Sequence, residues 1–259
     1  MTALTRTIVG SAALFALVAS RIVGFVVVSP FPGQNVSRTQ RASLVMALAW
    51  VATSFAAGEG SLGELDLTLA GRAVVELGCG LLVGVAFRMV FAAAEVLGGL
   101  LGQGTGLSTP SVLNPTMEAP ESVIARIVGL CGMLVALATG VHRVALGGLL
   151  ESFRALPVGS VASLDAPVLR LADVGIDAFV VGVRLATPVV AVGLLVQLAL
   201  ALVSRAAPSL QIFSVGLGLL FVSGIVSLMS CLDDLAVGLA AHFATLGSTI
   251  GDVVAAVRR

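Results

Sequence analysis

The stretch 73–101 constrains this chain most, because it stays predominantly apolar for longer than a lipid bilayer is thick. As a helix rising 1.5 Å per residue it would reach about 43 Å, against about 30 Å of hydrocarbon core. The helix it predicts is therefore tilted, kinked or extended beyond the bilayer. Further apolar runs at 8–28, 42–57, 127–141, 174–203 and 210–231 bring the predicted helical segments to about six. Across all 259 residues the chain is 58% hydrophobic and 11% charged, with a mean hydropathy of +1.11. A soluble domain carries about 25% charged residues. Too few charges remain here to cover a cytoplasmic globule, and the hydrophobicity excludes disorder. The remaining classes are a polytopic membrane protein or the buried part of a large assembly.

Punctuation between the runs supports one all-α domain, 1–259, with no linker long enough to separate two. The first run resumes past Ala19, Ser20 and Arg21, so it reads as a retained helix rather than a cleaved signal peptide. Pro30 and Pro32 end it, and Gly58 ends the second. Arg184 and Pro188 interrupt the fifth. Arg38 and Arg41 place the first loop inside by the positive-inside rule. Strict alternation over six spans then puts Arg143, Arg154 and Arg170 on the wrong side. Either the span count is off by one, or some segments are re-entrant or buried in protein.

Three kinds of feature carry chemical information. Gly98, Gly102 and Gly106 repeat at four-residue spacing, as do Gly80 and Gly84. Residues four apart share a helix face, and small residues there let backbones approach. The prediction is a helix-packing face. Arg88, Glu95, Arg184 and Arg205 are buried-polar or ion-pair candidates, the first three lying within apolar runs. Ionisable groups at membrane depth are functional candidates by default. They are compatible with an ion relay, an interhelical salt bridge or simple water exposure. The third feature is the loop Leu107-Ser108-Thr109-Pro110-Ser111-Val112-Leu113-Asn114-Pro115-Thr116-Met117, which runs on to Pro120. Its prolines fix φ and restrict the residue before each. Such a backbone either lies at a surface or lines a protein-enclosed pathway.

Several chemistries find no support. The chain has no lysine, so a Walker A loop is impossible, and Gly102-Gln103-Gly104-Thr105-Gly106 lacks the βαβ context of a dinucleotide site. His142 and His242 stand alone, and no G-x-S-x-G elbow occurs. Cys79, Cys131 and Cys231 are odd in number and far apart. The 14 arginines balance 14 acids, which offers nothing to nucleic acid. The expectation is no enzyme, no cofactor and no metal.

Two blocks of sequence resemble a known family. One includes Glu95, Gly106-Leu107-Ser108, Asn114-Pro115, Val123-Ile124-Ala125-Arg126 and Val141-His142. It ends in Leu149-Leu150-Glu151-Ser152-Phe153-Arg154-Ala155-Leu156-Pro157-Val158-Gly159. The other is Arg184-Leu185-Ala186-Thr187-Pro188, then Arg205-Ala206-Ala207-Pro208 through Phe213. Arg21 with Pro30, and Arg41 opening the second helix, are weaker echoes. Together they resemble the FliR/SctT family, the export-gate membrane component of flagellar and virulence type III secretion systems. Both blocks read more like the flagellar branch. The family often has Asp-Pro where this chain has Asn114-Pro115, and the glycine stretch before Leu107 is slightly expanded.

That resemblance implies long, broken helical hairpins within a hetero-oligomeric export gate in the bacterial inner membrane. The implied partners are P-type and Q-type export-gate membrane proteins. B/SctU-type and A/SctV-type components and exported protein substrates complete the set. It also implies that the loop from Leu107 projects into the channel as a plug. Two rivals remain from the residues alone. One is a secondary transporter with a midplane site built on Arg88, Glu95 and Arg184 beside the helix interrupted by Pro188. The other is a structural scaffold without a gating element.

Overall fold

The computed structural model describes residues 2–31, 36–56, 67–106, 123–159, 165–206 and 212–257. Among the described residues all regular structure is helical. The helices are α1 (Thr2–Val28), α2 (Arg38–Ala56), α3 (Leu67–Gly104), α4 (Val123–Ala138), α5 (Val141–Ala155), α6 (Asp165–Ala206), α7 (Ile212–Ala244) and α8 (Leu246–Val257).

Local chemistry accounts for several helix ends. Ser37 opens α2 with a reciprocal capping box: the Gln40 N–H donates to Ser37 Oγ at 3.3 Å, and the Ser37 N–H donates to Gln40 Oε1 at 3.2 Å. At the end of α3 the Thr105 N–H still donates to Leu101 O at 3.0 Å, and then Gly106 takes φ +72° and stops the helix. Between α4 and α5, Gly140 takes φ +74° and turns the chain at the end of the apolar run 127–141. An alanine at Gly140 must keep a left-handed backbone at a cost of about 1–2 kcal/mol. Gly140→Ala is expected to lower the melting temperature of the detergent-solubilised protein by about 2–8 °C. A variant that melts with the parent would mean that this residue does not set the break.

Among the described residues four stretches are long and apolar enough to cross a membrane: Gly10–Val28, Leu69–Gly104, Pro167–Ala206 and Gly216–Val257. The broken pair α4 and α5 would together make a fifth. The chain is a polytopic all-α membrane protein, as expected, and four or five of its helical segments among the described residues meet that length and hydropathy. α2 drops out because Arg38, Gln40, Arg41 and Ser43 load its first turns with polar groups. The apolar run ending at 231 continues as helix through exposed Asp233 and Asp234. Pro188 does not interrupt α6 as the sequence suggested. It removes one i→i−4 hydrogen bond, sits exposed, and is preceded by Thr187, whose hydroxyl donates to Val183 O at 2.8 Å.

The chain divides into two compact units. Unit 1 comprises Met1–Val90, Gly140–Gly175 and Thr245–Arg259. In it α1 packs against α2 and the first half of α3, and α5 packs against α8. Phe87 stacks between Phe25 and Phe31, at 6.3 and 5.8 Å between ring centroids. One core cluster joins Cys79, Leu82 and Ala86 of α3 to Leu156, Leu171, Val253 and Val257. The buried positions of α8, from Leu246 through Ile250 and Val253 to Val257, repeat at helical spacing.

Unit 2 comprises Phe91–Thr139 and Ile176–Ala244. There α4 buries a stripe of Ile124, Val128, Gly132 and Ala136, and Phe91 stacks on Phe243 at 5.4 Å. The long helices are unequally covered. Over an 18-residue apolar stretch within each span, α3 is 61% buried, whereas the stretches within Pro167–Ala206 and Gly216–Val257 are 17% and 11% buried. Leu194, Leu195, Leu198 and Leu202 of α6, and Val222, Val226 and Met229 of α7, are all exposed. Apolar faces of this extent call for lipid or protein neighbours.

Candidate functional site

Two places in the fold concentrate unusual features, one in each unit. In unit 1, Arg21 of α1 and Glu76 of α3 are almost completely buried and form an ion pair, with Nε donating to Oε2 at 2.6 Å. The other guanidinium nitrogens reach the C-terminal end of α5. Nη1 donates to Ser152 O at 2.9 Å and Nη2 to Leu156 O at 3.1 Å. The guanidinium carbon lies 4.4 Å from the centre of the Phe153 ring, a cation–π contact. On the carboxylate side, Glu76 Oε1 accepts the Gly159 N–H at 2.7 Å. Both charges are therefore paired and hydrogen-bonded, the condition under which burial is tolerable. Removing one partner of such a pair typically costs about 3–5 kcal/mol.

Sequence reasoning missed this pair. Arg21 stood out as an interruption of the first run and, with Pro30, as a weak family echo, and Glu76 was passed over. The available signal was an arginine within the first apolar run and a glutamate near the start of the third, opposite charges that must be paired if both are buried. Of the residues singled out instead, Glu95, Arg184 and Arg205 are exposed on this chain and Arg88 is half-buried. Each of those three turns outward from its helix, the water-exposed alternative among those the sequence left open. Arg88 belongs to unit 1, whereas Glu95 and Arg184 belong to unit 2.

In unit 2 the end of α3 is enclosed by close backbone approaches. A Cβ on Gly193 of α6 would lie 2.5 Å from Gly104 O, and one on Gly224 of α7 would lie 2.8 Å from Thr105 Cα. Thr105 is fully buried, its hydroxyl donating to Leu101 O at 2.9 Å. Gly98 faces α4, where a Cβ would come 3.0 Å from Ala125 O, and Gly102 is buried. The third glycine of the expected face departs from it. Gly106 lies beyond the last helical residue, Gly104, so it turns the chain instead of continuing the stripe. A Cβ there would meet Leu220 Cδ2 at 2.7 Å. The loop Leu107 to Met117 lies outside the described residues.

Known proteins resemble this chain over nearly all of its length. The family described as Bacterial export proteins, family 1 matches residues 12–246. A flagellar biosynthetic protein FliR from Aquifex aeolicus is 30% identical over 86% of this chain and 86% of its own. FliR proteins from Caulobacter vibrioides and Bacillus subtilis are each 28% identical, over 85% and 94% of this chain and 89% and 95% of their own. A match spanning both blocks of the sequence and every helix except α8 means that the chain belongs to the bacterial export proteins, family 1, the family of FliR.

Proposed function

We propose that this chain is a non-enzymatic component of the flagellar type III protein export gate, its 259 residues acting as one integral-membrane domain. It closes and seeds a helical assembly of P-type and Q-type membrane proteins around a channel for unfolded substrates. B-type and A-type export components stand beside it, in the inner membrane at the flagellar basal body. The observation that carries the reading is the run of relatives named flagellar biosynthetic protein FliR, similar over most of the chain. The uncovered apolar faces of α6 and α7 support it, because a chain built to join other membrane proteins leaves such faces open.

In this reading the segment from Leu107 to Met117 is the plug, and the close-packed glycines at and below its root hold the wall beside it. Irregular backbone between apolar helices is tolerated where protein encloses it, which suits a channel interior. Deleting residues 110–117 is expected to raise ion leak through the closed gate while two smaller membrane proteins still co-purify. Conductance equal to the parent's would remove the plug role. Failure of the intact chain to co-purify with any smaller membrane protein would remove the gate itself.

A further inference from the structure

We propose that Arg21 and Glu76 are positioning residues: together they latch the turn from Leu156 to Gly159, and so fix where α6 begins, rather than serving mainly to join α1 to α3. The latch does not depend on the export reading.

The geometry has a direction. If the pair served only to join two helices, charge neutralisation between Arg21 and Glu76 would suffice. Instead the guanidinium spends its two outer nitrogens on carbonyl oxygens at the end of α5, Ser152 O and Leu156 O. Ser152 lies in the last turn of α5 and Leu156 caps its end; Ser152 O also accepts the Leu156 N–H at 2.9 Å, and a cation is favoured at such a helix terminus. The carboxylate meanwhile spends its second oxygen on the Gly159 N–H. One donor fork and one acceptor thus hold the two sides of a single turn. Only an arginine on α1 and a carboxylate on α3 satisfy these polarities. A reversed pair would set a carboxylate against two carbonyls and a guanidinium against an N–H.

What the turn positions is visible in the core beside it. The Leu156 side chain shares one cluster with Cys79 of α3, Leu171 of α6 and Val253 of α8. Holding Leu156 O therefore seats Leu156 over Cys79 and against the first turns of α6. Cys79 is only 5% exposed, so its thiol reports whether the turn is seated.

The test uses the full chain in its native membrane complex with Cys131→Ser and Cys231→Ser, leaving Cys79 as the sole thiol. Arg21→Lys keeps the positive charge but loses the fork that reaches two carbonyls. The latch predicts at least about tenfold faster maleimide labelling of Cys79 and faster exchange of the Gly159 amide, with the Ala136 amide of unit 2 unchanged. The reversed pair, Arg21→Glu with Glu76→Arg, is predicted to label at least as fast as Arg21→Lys. Labelling and exchange at parental rates in Arg21→Lys, or restored by reversal, would overturn the latch in favour of a simple ion pair. An equal rise in Ala136 exchange would overturn it in favour of a general loss of stability. Should the reversed pair not accumulate, Arg21→Lys decides alone.

Discussion

Gly80→Ala is expected to abolish recovery of folded protein, or to leave a complex that melts far below the parent. A Cβ at Gly80 would lie only 1.8 Å from Arg21 O and 2.7 Å from the Arg21 carbonyl carbon. The obstacle is backbone, so no rotamer relieves it and α1 must move away from α3. Gly24 makes the reciprocal approach, with a Cβ that would come 2.3 Å from Leu77 O, and Gly84 meets Phe25 O at 2.8 Å. These glycines let two apolar helices touch backbone to backbone, which supplies packing where lipid offers no hydrophobic gain for association. A shift large enough to admit the methyl also drags Arg21 from Glu76, Ser152 O and Leu156 O. Overpacking costs about 1–3 kcal/mol and breaking a buried pair about 3–5 kcal/mol. Even their partial sum is a large share of the about 5–15 kcal/mol that holds a native protein together. Gly99→Ala in the same helix is the control. Nothing lies within 4 Å of a Cβ there, and removing glycine from a helix interior gains about 0.5–1 kcal/mol. Recovery and melting temperature in mild detergent read both variants, and a Gly80→Ala protein as stable as Gly99→Ala would refute the contact.

The spacing of Gly80 and Gly84 was legible because a four-residue period is written along one helix. Its partner was not legible. Gly24 is one glycine in the first apolar run, and nothing in a single sequence says that α1 is the helix laid against it. The same limit hid the buried pair, since Arg21 and Glu76 are distant in sequence and meet only through the fold. The helices themselves followed from the apolar runs, but their ends did not. The run ending at 141 carried no sign that a new helix starts at Val141, directly after the left-handed turn at Gly140. Pro188 and Asp233 read as interruptions, yet each sits on an exposed face where a lost hydrogen bond or a charge is cheap. Exposure also decided the fate of Glu95, Arg184 and Arg205, and outward or inward orientation is what a weakly patterned apolar helix fails to encode.

Gly193→Ala should produce the second large effect, in unit 2. The added methyl would come 2.5 Å from Gly104 O and 3.2 Å from its carbonyl carbon, so α6 and the last turn of α3 must part. Two neighbours hold that turn from moving aside. A Cβ on Gly224 of α7 would lie 2.8 Å from Thr105 Cα on its other side, and further along the same contact a Cβ on Gly182 of α6 would meet Ala93 O at 2.9 Å. With both sides of the contact fixed, strain is relieved only by separating helices over several turns, at about 2–3 kcal/mol. The buried hydroxyl of Thr105 gives a local readout, because its bond to Leu101 O survives only while the helix end stays closed to water. Amide exchange at Thr105 and Gly106 should accelerate at least about tenfold in Gly193→Ala. It should stay parental in Gly129→Ala, where no atom lies within 4 Å of the new methyl. In the proposed gate the loop from Leu107 leaves directly from this turn, so the same variant should reduce flagellar export even in cells where the protein accumulates normally. Parental exchange together with parental export would mean that the end of α3 tolerates displacement, and that the close approach of α6 has no part in setting the root of the loop.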